Sequence, residues 1–345
     1  MGDDPTSGPG ARRSAPRTGW VDAAKGIGII LVVYGHVLRA NLNLAVAPAW
    51  AFQDRVIYSF HMPLFFLLSG LFLWGSIGRG KNRFLRDRWV QLVWPYLLWS
   101  AITAALELLL SPWVNTPIPW QRVLLIPLLP IEQYWFLYIL LAIQLLILLV
   151  HPHRAGALLL GLLALAGFGH IWLGTLTPVL RYLPFVIAAI LIGPALVDRI
   201  GRTAGSALAL LAGGSLVLAA VLTLPLPQMP AVMLSGFAGS CAVIGLAMLA
   251  ERVDPLGRIL ILLGQASMAI YVCHTIASAG TRIGLKLVGV APFSALSLLL
   301  CTMAGLVGPV VLWRLAGRTG WSRWMGLGSP PPQTQSGRPA PASVQ

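Results

Sequence analysis

Residues 133–150 read QYWFLYILLAIQLLILLV, an eighteen-residue stretch without a charged side chain. An α-helix rises about 1.5 Å per residue, so a stretch of this length nearly crosses the hydrocarbon core of a bilayer, which is about 30 Å thick. Lipid offers no hydrogen-bond partner to an open backbone, and a helix satisfies its own backbone groups. The sequence therefore predicts a membrane-spanning helix over residues 133–150.

Comparable apolar stretches recur along the whole chain. They cover residues 23–43, 56–77, 89–110, 133–150, 155–173, 180–197, 204–225, 229–250, 259–281 and 290–313. Of the 345 residues, 57% are hydrophobic and 10% are charged, whereas a soluble domain carries about 25% charged residues. The prediction is an all-α, polytopic membrane helical bundle of about ten transmembrane helices over residues 20–315, with disordered tails over residues 1–19 and 316–345.

The net charge of +14 does not indicate nucleic-acid binding, because the basic residues lie between the apolar stretches rather than along one face. If the N-terminus is cytoplasmic, the inner segments hold 17 Lys and Arg residues and the outer segments hold 6, with Lys25 counted in neither. Cytoplasmic loops retain positive charge. Both termini are therefore predicted to be cytoplasmic, in a protein of the bacterial inner membrane.

The first apolar stretch has an alternative interpretation as a signal peptide. Arg12, Arg13 and Arg17 precede it, and residues 45–47 read AVA, which resembles a cleavage site. Pro48 would occupy the first position after that cut, so we interpret the segment as a retained helix.

The sequence does not predict a metal site or a bound cofactor. Cys241, Cys273 and Cys301 all fall inside apolar stretches, as is usual for buried cysteines that pack as small hydrophobic side chains. The sequence contains no metal-ligand spacing and no nucleotide-binding loop motif.

Three histidines lie inside apolar stretches, where burying a polar side chain is costly and usually serves a function. His36 lies about 19 Å from the start of its helix, His274 about 22 Å from the start of its own, and His61 about 8 Å in from the opposite side. All three thus reach a similar depth in the outer half of the bilayer. The alternative is that each one only hydrogen-bonds a neighbouring helix.

Lys25 precedes His36 by eleven residues, so the two side chains are about 20° apart around the helix and about 16 Å apart along it. Lys25 would then be a cation at the cytoplasmic entrance, in line with His36 as a buried base. This arrangement suits an anionic donor molecule that binds at Lys25 and whose far end reaches His36. Asp22 lies about 40° from His36 on the other side. The alternative is that Lys25 is an interfacial anchor paired with Asp22 across one turn.

Four segments combine polar residues with apolar helix sequence: VDAAKGIGIILVVYGH at 21–36, FHMPLFFLLSG at 60–70, YWFL at 134–137 and SMAIYVCH at 267–274. These segments resemble motifs of the acyltransferase family 3 membrane proteins. The first has the family's basic residue, ten intervening residues and histidine, and the second is similar to the form in fucose 4-O-acetylase-like members. The segments follow the family's order, and the resemblance covers roughly residues 20–315.

The resemblance implies an O-acyltransferase that moves an acyl group, usually acetyl, from cytoplasmic acetyl-CoA to a hydroxyl group of an extracytoplasmic glycan or glycoconjugate. Acetyl-CoA is then a co-substrate rather than a bound cofactor. His36 is the candidate general base, with His61 and His274 as further catalytic candidates. Histidine suits this role because its ordinary pKa is near 6.5.

Basic residues at the cytoplasmic entrance are candidates for binding the phosphates of acyl-CoA, since guanidinium groups pair well with phosphate. These candidates are Lys25, Arg83, Arg86 and Arg88. The family commonly has a basic pair before Pro-Tyr at the start of the third helix. Here Arg88 and Pro95-Tyr96 match, while Gln91 occupies the second basic position.

Four further side chains are candidates for supporting or orienting the site: Asp22, Ser69, Trp135 and Tyr271. A hydroxyl of Ser69 or Tyr271 would stabilise the thioester oxyanion or orient a histidine. Alternatively, Ser69-Gly70 forms a small-residue packing surface between helices. Direct transfer and an acyl-histidine intermediate both fit these residues.

A proton-coupled secondary transporter or flippase is the main alternative function, since buried histidines and many prolines also occur in carriers. A carrier of this kind predicts inverted repeats and broken helices in matching halves of the chain. It offers no role for the alignment of Lys25 with His36 on one helix face. A sensor or assembly scaffold is a third class. Consumption of acetyl-CoA by the purified protein distinguishes an enzyme from both.

The charge count makes a testable prediction about topology. Reporter fusions after Arg88 and Arg202 should report the cytoplasm, and fusions after Pro117 and Pro227 the outside, because positive charge is retained on the cytoplasmic side. Paired phosphatase and fluorescent-protein fusions measure this directly. The reversed pattern would contradict donor entry from the cytoplasm.

Overall fold

The computed structural model describes residues 19–41, 48–111, 119–200, 203–291 and 294–328. All regular elements in these ranges are helical. They are α1 (Gly19–Asn41), α2 (Pro48–Leu71), α3 (Leu73–Gly78), α4 (Lys81–Arg88), α5 (Trp94–Leu109), α6 (Trp120–Leu124), α7 (Trp135–Val150), α8 (Arg154–Gly167), α9 (Thr177–Ile200), α10 (Ala204–Thr223), α11 (Gln228–Ala250), α12 (Leu256–Gln265), α13 (Ser267–Leu287) and α14 (Ala295–Thr319).

Eight spans of the described residues are long and apolar enough to cross a membrane, and the pair α12–α13 would make a ninth. The two helices of that pair are bent by 81° at Ala266. The stretch predicted at 155–173 corresponds to α8, which has 14 residues and is therefore only about 21 Å long. The prediction of an all-α polytopic membrane protein is confirmed. The described ranges contain eight or nine full spans and one shorter apolar helix, where about ten transmembrane helices were predicted.

The two ends of the bundle differ in charge. At the end where α1 begins, the Trp20 indole donates a 2.8 Å hydrogen bond to Asp198 near the end of α9. We call this the basic end, and the opposite end the distal end. The basic end carries Lys25, Arg79, Lys81, Arg83, Arg86, Arg88, Arg154, Arg199, Arg252, Arg258, Arg314, Arg318 and Arg323, whereas the distal end carries Arg39, Arg55, Arg122, Arg181, Arg282 and Lys286.

Helix α1 is the central element, because it packs against α2, α11, α12, α13 and α14. Its closest approach is to α12. A Cβ atom placed on Gly26 would lie 2.1 Å from the Leu260 carbonyl oxygen, and one on Gly264 would lie 1.7 Å from the Asp22 carbonyl oxygen. Only glycine permits this backbone contact, so Gly26 and Gly264 fix the position of α12 on α1.

The C-terminal part of the described chain packs against α5. Helix α14 continues to Thr319, and the indole groups of Trp94 and Trp99 donate hydrogen bonds to the Trp324 and Met325 carbonyls at 2.7 and 2.8 Å. Leu327 is completely buried. The packed chain thus extends past the predicted boundary at residue 315. The predicted tail residues 1–18 and 329–345 lie outside the described residues.

The contact between α1 and α12 makes a testable prediction. Gly264→Ala should lower the free energy of unfolding by about 1–3 kcal/mol, because the added methyl group overpacks the backbone of α1. Gly284→Ala in α13 is the matched control, since a Cβ atom there meets nothing within 4 Å. Thermal unfolding in detergent, followed by tryptophan fluorescence, measures both. Equal melting temperatures for the two variants would show that the contact tolerates a side chain.

Candidate active site

His36 and His274 meet in the distal half of the bundle. His36 lies five residues before the end of α1, and His274 is the eighth residue of α13. Their ring centroids are 5.1 Å apart, and the rings meet edge to face. His274 is completely buried, whereas His36 is partly exposed. The structure therefore brings together two histidines that are 238 positions apart in the sequence (274 − 36).

Hydrogen bonds to the backbone define which nitrogen of His274 is available. Its Nδ1 atom lies 2.8 Å from the Tyr271 carbonyl oxygen and 3.1 Å from that of Ile270. Carbonyl oxygens only accept hydrogen bonds, so the neutral ring carries its proton on Nδ1. Its Nε2 atom is buried without a hydrogen-bond partner among the described residues. A free acceptor nitrogen therefore lies beside His36.

His61 joins this pair indirectly, through Tyr58. The ring of Tyr58 lies 4.6 Å from that of His61 and 6.4 Å from that of His36, measured between centroids. The Nδ1 atom of His61 lies 2.7 Å from the Ile57 carbonyl oxygen. The three predicted histidines therefore form one cluster in which Tyr58 is the spacer.

An ion pair fixes the spacer. The guanidinium carbon of Arg39 lies 3.1 Å from the centroid of the Tyr58 ring. Arg39 also donates two hydrogen bonds to the Asp54 carboxylate, at 2.6 and 2.9 Å. Arg39, Asp54 and Tyr58 were not among the site residues predicted from the sequence. Their spacing is a usable signal, because Arg39 lies one turn beyond His36, and Asp54, Tyr58 and His61 share one face of α2.

A cavity of about 330 Å³ opens beside His36 and His274 at the distal end. This volume is at the lower end of the range for small-molecule sites, about 300–1,000 Å³. Helices α1, α5 and α13 form its walls, together with Glu132 before α7. Besides the two histidines, its polar lining consists of Thr103, Glu107, Glu132, Thr275, Ser278 and Arg282.

Two carboxylates line this cavity. The Oε2 atom of Glu107 is buried without a hydrogen-bond partner among the described residues. Glu132 has a φ of 43°, in the left-handed region that residues other than glycine rarely adopt. Such conformations persist where the surrounding structure enforces them, often at functional sites. Neither carboxylate was predicted from the sequence, although Glu107 is the only acidic residue in the apolar stretch 89–110.

The predicted donor-binding residues lie at the basic end. Lys25 pairs with Asp22 at 3.5 Å, as the anchoring interpretation requires, but its side chain remains 36% exposed. Arg83 lies 4.0 Å from Asp87. Arg88 donates a 3.3 Å hydrogen bond to Gln144, and its Nε atom is buried without a partner among the described residues.

The neighbours of Arg88 differ in their surroundings. Arg86 is exposed at the end of α4, and Gln91 is exposed in the π-helical turn Trp89–Val93 that joins α4 to α5. Arg88 is therefore the member of this basic cluster with an unsatisfied donor group.

The predicted supporting residues Ser69, Trp135 and Tyr271 are absent from the described lining of the cavity. Ser69 donates a 2.7 Å hydrogen bond to Phe66 in its own helix. Trp135 stacks on Tyr182 with centroids 5.6 Å apart, and the Tyr271 hydroxyl donates to the Gln133 carbonyl. Of these contacts, the one from Tyr271 ties α13, which carries His274, to the segment before α7.

Comparisons with known proteins identify relatives of the chain. A family model described as an acyltransferase domain matches residues 18–314. Nodulation protein NolL of Sinorhizobium fredii is 42% identical to the chain over 89 residues, and nodulation protein NolL of Mesorhizobium japonicum is 36% identical over 88 residues. Each match covers 25% of this chain and 24% of the relative, so the chain spans about a quarter of the length of these relatives. No solved structure gives a significant match.

Proposed function

The chain belongs to acyltransferase family 3, and from this premise we propose that it is a membrane O-acyltransferase. It moves an acyl group, acetyl in the simplest case, from acyl-CoA to a hydroxyl group of an extracytoplasmic glycan or glycoconjugate. The observation that carries this proposal is the cavity in which His36 and His274 meet. A partly exposed imidazole that opens to a ligand and lies beside a buried one suits general-base activation of an alcohol.

The charge asymmetry supports an orientation in a bacterial inner membrane. Positively charged segments remain in the cytoplasm, so the basic end faces the cytoplasm and the distal end faces outward. Acyl-CoA then approaches from the side of Lys25, Arg83, Arg86 and Arg88, and the acceptor enters the cavity from outside. The two substrates meet at His36.

The proposed chemistry uses His36 as the general base. His36 removes the proton of the acceptor hydroxyl as its oxygen attacks the thioester carbonyl carbon, so a carbon–oxygen bond forms and the carbon–sulfur bond breaks. The CoA thiolate leaves and takes the proton from the His36 imidazolium. The free Nε2 atom of His274 accepts a hydrogen bond from His36 or from the acceptor, which positions the reacting groups.

The cavity lining suits an acceptor rich in hydroxyl groups. Ionised carboxylates only accept hydrogen bonds, and hydroxyl groups donate them. Glu107 has a buried oxygen without a partner among the described residues, and binding a polyol would satisfy it. The hydroxyl groups of Thr103, Thr275 and Ser278 line the same cavity and provide further donors and acceptors.

The carrier alternative receives less support. Helix breaks do occur, at Gly193 within α9 and at Ala266 between α12 and α13. Carriers place such breaks near the bilayer midplane, where the substrate binds. Here Gly193 lies seven residues before the basic end of α9. Gly264, two residues before Ala266, contacts Asp22 at the beginning of α1. The breaks therefore lie toward one end, away from the histidine cluster.

The sharpest prediction concerns His36. His36→Ala should reduce acyl transfer by about 10² to 10⁴-fold while leaving CoA binding unchanged, because a base contributes to the transition state and not to donor binding. Purified variants, assayed for acetyl-CoA consumption and by calorimetry for CoA binding, measure both quantities. His274→Ala should cost less, and His61→Ala least, since Tyr58 separates His61 from His36.

His170→Ala is the matched control, since His170 is an exposed histidine away from the cluster. It should transfer acyl groups as the wild type does. Near-normal transfer by a well-folded His36→Ala protein would remove His36 as the base.

A second prediction concerns the donor site. Changing Arg86 and Arg88 together to glutamine should raise the KM for acetyl-CoA more than it lowers kcat, if their contacts with the CoA phosphates are equal in the ground and transition states. Arg314→Gln, an exposed basic-end residue on α14, is the control for loss of positive charge. An unchanged KM in the double variant would assign this cluster to topology alone.

A further inference from the structure

A second cavity, of about 590 Å³, opens at the distal end between α2, α9, α10 and α11. Three guanidinium groups line it, from Arg39 at the end of α1, Arg55 in α2 and Arg181 in α9. We call this cavity the arginine groove. Neither His36 nor His274 is among the described residues that line it.

The positive charge of the arginine groove is only partly compensated. Asp54 is the one acidic side chain among the described lining residues, and both of its oxygens accept hydrogen bonds from Arg39. Arg55 and Arg181 form no ion pair with a carboxylate within the described part of the chain. Two guanidinium groups are thus available to an anion.

Arg181 is the strongest sign of a missing ligand. Its Nε atom is buried and has no hydrogen-bond partner among the described residues. Burying a donor without an acceptor is costly, and the cost is larger when the group is charged. A bound anion would supply that acceptor.

The surrounding elements also favour a negatively charged ligand with an apolar part. Helices α2, α9 and α11 all begin at the distal end, so the positive ends of their dipoles add to the arginine charges. The groove is also lined by the apolar side chains of Val221, Leu222, Ala231 and Val232. Positive and apolar side chains therefore line the same opening.

We propose that the arginine groove binds the phosphate group of a phosphate ester. Guanidinium forks bind phosphate oxygens in pairs, and a phosphate ester offers enough oxygens for Arg55 and Arg181 at once. The apolar side chains receive the rest of the molecule. The ester is either the headgroup of a phospholipid or a soluble phosphate ester. The proposal does not depend on acyl transfer, because it uses neither histidine of the active site.

The groove also touches the histidine cluster. Arg39 lines the groove while its guanidinium group lies over Tyr58, which contacts both His36 and His61. Tyr58 itself lines the groove. A ligand there would therefore contact the side chain that separates two of the three histidines.

The test uses the purified, delipidated full chain in a neutral detergent. Three probes are titrated: phosphatidylglycerol, diacylglycerol with the same acyl chains but without phosphate, and soluble glycerol 3-phosphate. Native mass spectrometry gives the Kd of each lipid, and calorimetry that of glycerol 3-phosphate. We expect phosphatidylglycerol, glycerol 3-phosphate or both to bind, and diacylglycerol to bind at least about tenfold more weakly.

Variants locate the binding. Arg55→Gln and Arg181→Gln should each raise the Kd at least about tenfold, as expected when a charge-assisted hydrogen bond is lost. Arg122→Gln is the matched control at the same end, outside the described lining of the groove. Arg55 is exposed, so its variant keeps the test valid if Arg181→Gln does not fold. His36→Ala should bind as the wild type does, which separates this proposal from the catalytic one.

Each outcome decides the proposal. Binding of phosphatidylglycerol alone identifies a lipid headgroup, and binding of glycerol 3-phosphate with comparable affinity identifies a soluble ester. The proposal would be overturned if diacylglycerol bound as tightly as phosphatidylglycerol. It would also be overturned if Arg55→Gln, together with Arg181→Gln where that variant folds, kept the affinity of the wild type. An equal loss in Arg122→Gln would also overturn it, because the attraction would then be a general effect of charge.

Discussion

The lack of water inside a bilayer is the constraint on which this structure depends, because each buried polar group must find its partner within the protein. The described residues include four ionisable side chains with a buried atom that has no such partner: Arg88, Glu107, Arg181 and His274. They mark the proposed donor entrance, the cavity, the arginine groove and the histidine pair, respectively. The neutral side chains of Ser100, Gln133 and Trp313 also have such an atom. The two arginines are the most informative, since leaving a charged group unpaired costs more than leaving a neutral one.

The contact between α1 and α12 determines how two of these sites relate. Gly264 rests on the backbone of Asp22, and two residues later the chain bends by 81° into α13. Helix α13 then runs beside α1 toward the distal end, so that its eighth residue, His274, reaches the level of His36. The glycines within the motif at 21–36 thus have a physical role, since Gly26 meets Leu260 of α12. The glycine contact between α1 and α12 near the basic end thus determines how α13 is placed along α1, and with it the alignment of His274 with His36 nearer the distal end.

The sequence predicted what hydropathy and helical geometry determine. The depth of His36 and His274 followed from counting residues along apolar stretches, and the structure places their rings 5.1 Å apart. Depth contains no information about lateral neighbours, so the Tyr58 spacer and its Arg39–Asp54 ion pair were not predicted. Hydropathy also averages over short breaks in a helix. The predicted stretch 155–173 therefore continues past the end of α8 at Gly167. Hydropathy also placed the C-terminal boundary at residue 315, before the end of the packed chain. The residues that follow include polar ones, and Trp324 and Met325 are held by hydrogen bonds to their carbonyl groups, which hydropathy does not detect.

Within the proposed function, an open cavity at His36 suits direct transfer better than an acyl-histidine intermediate. An acyl-imidazole is readily hydrolysed, so a protein that used one would have to exclude water from it. His36, however, lines a cavity that opens at the distal end, and no closing element separates it from that opening among the described lining residues. The same opening lets the acceptor hydroxyl reach His36 while the thioester arrives from the basic end. On this proposal, a base that meets both substrates at once has no need to carry the acyl group itself, and the Nε2 atom of His274, which has no partner among the described residues, would stabilise the imidazolium that forms during transfer.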